Sequence, residues 1–171
     1  MSRIPLITAR EELDADGRAV FDRIVESRGT VLRPFEVLLH APQMADKVAA
    51  LGHVVRSESR LTAADRELVT LATGRAHGCA FVWESHLEAA RAAGLEPGTI
   101  AALEEDGGEG LGPREATLVS FVRELSRTSA VSNETFRAAH DLLGTSGVVE
   151  MALTTGYYAM LGHTMAAVEA C

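Results

Sequence analysis

Four residues in one short stretch carry side chains that can do chemistry together: Glu67, Cys79, Trp83 and His86. A carboxylate and an imidazole within reach of one another can relay a proton. A thiol can act as a thiolate nucleophile. An indole can form the wall of a pocket. Cys79, Trp83 and His86 are spaced i, i+4, i+7, which puts them on one face of a helix. The opposite face would carry Glu84, Glu88 and Arg91.

The elements that must position these residues are two helices meeting at a glycine break, over Arg66–Gly94. Thr62 is a good N-cap for the first, and Asp65 three residues on makes a capping-box pattern. Leu68, Leu71, Ala72 and Arg75 recur at helical spacing. Glu67 lies beside that apolar stripe, with Leu71 and Gly74 one and two turns further along its track. Glycine inside a helix costs about 1 kcal/mol relative to alanine. Close helix packing, or room for a ligand near Glu67, is the expected compensation. Gly78 breaks the run, and Cys79 is expected in the first turn of the second helix, where the positive end of the helix suits thiolate chemistry. Gly94 then stops that helix.

Each candidate also has a structural alternative. Glu67 can be a first-turn carboxylate favoured by the helix dipole and paired with Arg66 or Arg91. His86 can be a hydrogen-bonded core residue, Trp83 a packing residue, and Cys79 a small inert hydrophobe. His163, on the last helix, is a further candidate for the pocket. His40, His53, His77, His140 and His163 have no metal-ligand spacing, so no zinc site is expected. There is no phosphate loop, dinucleotide fingerprint or nucleophile elbow.

Composition narrows the classes. The 171 residues are 47% hydrophobic and only 5% aromatic, which favours helices with a core of Leu, Val and Ala. Sixteen basic against 24 acidic residues leave a net charge of −8, which speaks against a nucleic-acid partner. Two cysteines, Cys79 and Cys171, make no disulfide framework. No signal-peptide pattern opens the chain, so a cytoplasmic location with reduced thiols is expected. Met151–Val168 contains no Asp, Glu, Lys or Arg and is long enough for a membrane span. Its Thr154, Thr155, Gly156, Gly162, His163 and Thr164 weigh against one, and no membrane partner is expected.

Along the chain, residues 1–9 read as an extended arm and Arg10–Ser27 as a first helix. Pro34 opens a second, Pro42 interrupts it, and a helix resumes through Met44, Val48, Leu51 and Val55. Pro97–Glu104 is a short helix after the central pair, and the acidic, glycine-rich Glu105–Gly112 a linker. Pro113–Arg127 is amphipathic. Ser132 or Asn133 caps the next helix, which Gly144 ends. The last runs from about Ser146 to Glu169 and is apolar nearly all round, which implies burial on every side and a subunit interface.

With these residues in order, the chain resembles the carboxymuconolactone decarboxylase superfamily, which includes the AhpD-like alkylhydroperoxidases. Both branches share a helix opening on Glu, a Cys about twelve residues later and a His seven beyond that. Here those are Glu67, Cys79 and His86. Trp83, in FVWESH, together with PFEVLLHAPQMA at Pro34–Ala45 and GVVEMALTTGYYAMLGH at Gly147–His163, is similar to the decarboxylase-like branch. One departure matters. The peroxidase branch carries C-x-x-C, and Val82 holds the place of its second cysteine, the one thought to attack peroxide.

The resemblance implies one all-α domain of about seven helices, residues 1–33 an arm and helix before a family core at 34–171, assembled as a trimer or hexamer. It implies cofactor-free acid–base chemistry on a small organic acid or lactone, by a decarboxylase or related lyase or isomerase. Glu67 and His86 would relay the proton, Cys79 would be a further catalytic candidate, and Trp83 and His163 would bind substrate. The alternatives are a thiol peroxidase using Cys79 and a non-catalytic oligomeric small-molecule-binding protein.

Overall fold

The computed structural model describes residues 2–105 and 110–171. Among them are eight α-helices and no strand: α1 (Ala15–Arg28), α2 (Arg33–Leu38), α3 (Pro42–Ser57), α4 (Ala63–Ala76), α5 (Ala80–Ala92), α6 (Pro97–Glu104), α7 (Pro113–Thr128) and α8 (Asn133–Ala167). That is one more than about seven, with Asn133–Ala167 counted as one helix across a break at Gly144. Pro34 and Pro42 each sit in a first turn, where the missing N–H costs nothing. Four residues of the expected linker, 106–109, lie outside the described residues.

The chain divides into two compact units, Met1–Glu58 with His163–Cys171, and Ser59–Gly162. In the first, α1 packs on α3. The first helix does not start at Arg10 as expected. Arg10–Glu12 form only a 3-10 turn, Leu13 is extended, and α1 starts at Ala15. Asp14 is the reason, because its carboxylate accepts from Gly17 N at 2.8 Å and fixes the helix start. The N-terminal arm is tied down within this unit. Arg3 N donates to Val168 O at 2.8 Å and Ile7 N to Glu36 O at 3.0 Å.

The second unit holds the candidate residues. α4 is its centre, packed on α5 and α7. Leu68, Leu71, Leu103, Leu118, Val122 and Met151 form the core, each nearly fully buried. Four buried threonines, Thr70, Thr73, Thr154 and Thr155, donate to the carbonyl four residues back, at 2.7–2.9 Å, so α4 and α8 bury these four hydroxyls with their donors satisfied.

Gly144, at φ 66° and ψ 178°, breaks α8 where a helix end was expected. The helix beyond it is not buried on every side. Val149 and Leu153 are each 54% exposed and Met160 37%, while Met151, Thr154, Tyr157, Tyr158 and Leu161 are buried. It ends at Ala167, two residues short of expectation, with Glu169 at φ 55°. No described helix is long and apolar enough to cross a membrane.

Candidate active site

The site is built on the entry of α4. Thr62 caps it by accepting from Asp65 N at 3.1 Å. The reciprocal half of the expected capping box is altered, because the Thr62 hydroxyl, not its amide, donates to Asp65 Oδ2 at 2.8 Å. Asp65 is also engaged by Arg114 of α7, from Nε at 3.0 Å and from a terminal guanidinium nitrogen at 2.8 Å. Burial pushes the Asp65 carboxyl up, but the Arg114 guanidinium and the Thr62 hydroxyl together outweigh it and hold the group below its ordinary value. This pair pins α7 to the start of α4.

Glu67 lies just past the first turn and is buried, at 7% exposure. Its two oxygens face different partners. Oε2 meets His86 Nδ1 of α5 at 2.8 Å, and Oε1 lies 3.6 Å from Arg66 Nε. A carboxylate oxygen can only accept, so the proton of a neutral His86 resides on Nδ1 and its lone pair on Nε2. His86 is partly accessible, at 17% side-chain exposure. Its ring also stands against Tyr158 of α8, with centroids 4.9 Å apart and planes at 84°, and Tyr158 in turn stands against Tyr157 at 5.1 Å and 85°.

Gly74 explains how α4 and α5 come close enough for this contact. A Cβ there would lie 3.0 Å from Val82 Cγ1 and 3.2 Å from the Trp83 backbone nitrogen. Of the two compensations expected for that glycine, close helix packing is the one realised. Gly78, at φ 61°, makes the reversal between the helices in a conformation other residues rarely adopt.

Cys79 is not in the first turn of α5. It is the N-cap, with φ −93° and ψ 96°, its amide donating to Gly74 O at 2.9 Å. The thiol is 2% exposed and lies against α8, where a Cβ on Gly162 would sit 3.9 Å from Sγ. Cys79 and the half-buried Trp83 line a small groove of about 200 Å³ with Gly74, Gly78 and Arg75, a lining that includes neither Glu67 nor His86. His86 lies seven positions beyond Cys79, which is on the order of 10 Å along the axis. The spacing does put them on one face, but the thiol stands about two turns from the carboxylate–imidazole pair, with the buried Val82 on the track between them.

His163 is exposed and belongs to the first compact unit, not the one holding Glu67 and His86. Other histidines have contacts of their own: His40 Nε2 with Pro5 O at 2.8 Å, His53 Nε2 with Glu58 at 3.4 Å, and His140 Nε2 with Thr145 Oγ1 at 3.1 Å. Among the described residues no group of three or more His, Cys, Asp and Glu could hold a metal ion. A larger depression of about 760 Å³ lies in the first unit, along Asp14, Asp16, Arg23, Met44, Asp46 and Lys47. Its charges are largely spent on one another, with Asp46 engaged by Arg23 at 2.9 Å and Lys47 at 3.2 Å, so the Glu67–His86 pair is the better candidate for chemistry.

Residues 42–124 match the Carboxymuconolactone decarboxylase family. The matched segment contains Glu67, Cys79 and His86 and runs from the start of α3 into α7. The whole chain has the fold of solved AhpD-like proteins. It is similar to a peroxidase-related protein with an alkylhydroperoxidase AhpD core from Ralstonia eutropha JMP134, with a TM-score of 0.78 and 19% identity over 99% of this chain and 91% of that one. It is similar to a peroxidase-related protein from Silicibacter sp. TM1040, with a TM-score of 0.77 and 17% identity over 98% and 90%. The debrominase Bmp8, in a cysteine-to-alanine form in complex with 2,3,4-tribromopyrrole, is equally close in fold, at 0.77 and 16% identity over 99% and 92%. No curated protein matches the chain.

Three residues around the site, Arg114, Tyr157 and Tyr158, are not marked by any motif in the sequence. Nothing local announces Arg114 or Tyr158, since they meet Asp65 and His86 from 49 and 72 positions away.

Proposed function

We propose that this chain is an acid–base enzyme, a lyase, decarboxylase or isomerase acting on a small organic acid or lactone. The observation that carries the reading is the 2.8 Å contact of His86 Nδ1 with the buried Glu67. A carboxylate behind an imidazole fixes the tautomer, orients the ring and stabilises the imidazolium that forms when Nε2 takes a proton. In an isomerisation, Nε2 would remove a proton next to a carbonyl and return it to another carbon. In a decarboxylation, the carbon–carboxylate bond breaks, CO2 leaves, its bonding pair stays on the substrate as an enolate, and protonated His86 delivers the proton to carbon. Neither course draws on a cofactor.

The test is a panel of unsaturated lactones and 2-keto and 3-keto acids incubated in deuterated buffer, followed by NMR for exchange at carbon and for CO2 release. The wild type and Cys79→Ser should act on the same compound, and Glu67→Gln should lose roughly 10²-fold of the rate with the fold intact. A compound that stabilises the protein without turnover in any form would replace the enzyme reading with a binding protein.

A second reading has one observation in its favour. Cys79 and Trp83 share a groove, and thiol chemistry on a small planar substrate would use them. Activity lost in Cys79→Ser and kept in Glu67→Gln would install it.

A further inference from the structure

Resting on the acid–base reading, we propose that Tyr158 is the positioning residue that sets the plane of His86. A hydrogen bond at Nδ1 alone does not fix an imidazole. The side chain can still adjust about its Cα–Cβ and Cβ–Cγ bonds while Nδ1 stays within reach of Glu67 Oε2, and Nε2, on the far side, moves with it. Tyr158 supplies the second constraint. Its ring stands at 84° to the imidazole with centroids 4.9 Å apart, within the range where edge-to-face pairs attract.

Tyr158 is itself held. It is 5% exposed, and Tyr157 beside it on α8 is 3% exposed and meets it at 85°. Three rings in sequence, each nearly perpendicular to the next, leave the imidazole little room to swing. Glu67 and Tyr158 approach His86 from different helices, α4 and α8, so the imidazole on α5 is braced from two directions. The ring contact is what positions the imidazole, so phenylalanine should replace Tyr158 where leucine cannot.

The experiment uses the resting protein and needs no substrate, so its outcome is separate from that of the turnover assays. Diethyl pyrocarbonate is reacted with the wild type, Tyr158→Phe and Tyr158→Leu, and acylation of each of the six histidines is followed by mass spectrometry. His86 in the wild type and Tyr158→Phe should react alike. In Tyr158→Leu the His86 rate should change by several-fold up to about tenfold, the range one aromatic contact allows, while the other histidines keep theirs. A second measurement needs no variant. Long-range nitrogen–proton NMR of the wild type should show His86 as a single Nδ1–H tautomer, with ring protons shifted by the neighbouring tyrosine. An unchanged His86 rate in Tyr158→Leu, or His86 ring protons without a tyrosine ring-current shift in the wild type, would overturn the proposal, whereas a tautomer mixture would count against the Glu67 contact instead. If only the leucine variant unfolds, the wild-type NMR result decides.

Discussion

Glu67 on α4 and His86 on α5 meet through one contact, Oε2 to Nδ1 at 2.8 Å, across a helix pair held close by Gly74. The contact sits at the end of a buried side chain, so its length depends on one methylene. Glu67→Asp keeps the charge and withdraws the carboxylate by roughly 1 Å or more, a misplacement that can cost about 10²-fold in rate. We expect that loss in turnover with little change in melting temperature. A turnover rate equal to the wild type would show that the contact does not orient the base.

Gly74 itself can be tested. A Cβ would press on Val82 Cγ1, which can shift, and on the Trp83 amide, which cannot without moving α5. Gly74→Ala should destabilise by roughly 1–3 kcal/mol through overpacking, although alanine is favoured by about 1 kcal/mol in a free helix. Adding Val82→Ala should recover part of the loss, so urea unfolding of the double-mutant cycle should give a coupling energy clearly different from zero. Simple additivity would mean the helices are not limited at this point.

Asp65 predicts a pH dependence. Its folded carboxyl lies below the ordinary value, because Arg114 and Thr62 outweigh burial. Such a group contributes stability above its unfolded pKa of about 4, and the contribution is lost as pH falls through the folded value. Arg114→Ala would leave a buried carboxylate without its cation. We expect a cost of roughly 3 kcal/mol near neutral pH, the low end for a broken buried pair, since the Arg114 side chain is 43% exposed. The difference between variant and wild type should shrink as the medium is acidified below about pH 4, where Asp65 takes up a proton in both. Urea unfolding at the two ends of that range checks it, and a difference independent of pH would argue that Arg114 acts through packing alone.

The exposed face of α8 carries Val149, Leu153 and Met160 at helical spacing. A second copy of the chain is the occupant we expect, in a trimer or hexamer. Sedimentation of the wild type should give a species several times 18.2 kDa, and Leu153→Glu should move it toward that mass. A wild type that stays at the monomer mass across micromolar concentrations would remove the basis for an interface here.

Helical class, the glycine break and the Glu67–His86 pairing were legible in sequence because they depend on local rules. Caps, apolar period and glycine stops act over a few residues, and Glu67 and His86 lie on adjacent helices joined by a short turn. What was not legible depends on distant partners or on one cap residue. Asp14 displaced the first helix start, since a good N-cap outcompetes an apolar pattern upstream of it. Tyr158 is brought to His86 from a helix 72 positions later in the chain. Cys79 moved from first turn to cap, a shift of one residue.

Cys79 carries the last prediction. A dithiol peroxidase cycle needs a thiolate that attacks peroxide and a second thiol that resolves the sulfenic acid as a disulfide. Cys79 is 2% exposed at a helix cap, and the position one turn on is Val82, also 2% exposed and pressed toward Gly74. Cys171, the other cysteine, is exposed, stands at the end of the chain and is not disulfide-bonded. The wild type, Cys79→Ser and Cys171→Ser should all consume peroxide negligibly with an external thiol as reductant, and alkylation of Cys79 should be slow. Val82→Cys would place a thiol three residues from Cys79 and four from His86, within a helical turn of each. That variant should gain peroxide turnover, and the gain should vanish when His86→Ala is added. Rapid wild-type turnover that disappears in Cys79→Ser would reverse the preference for proton transfer and make the thiol the centre of the reaction.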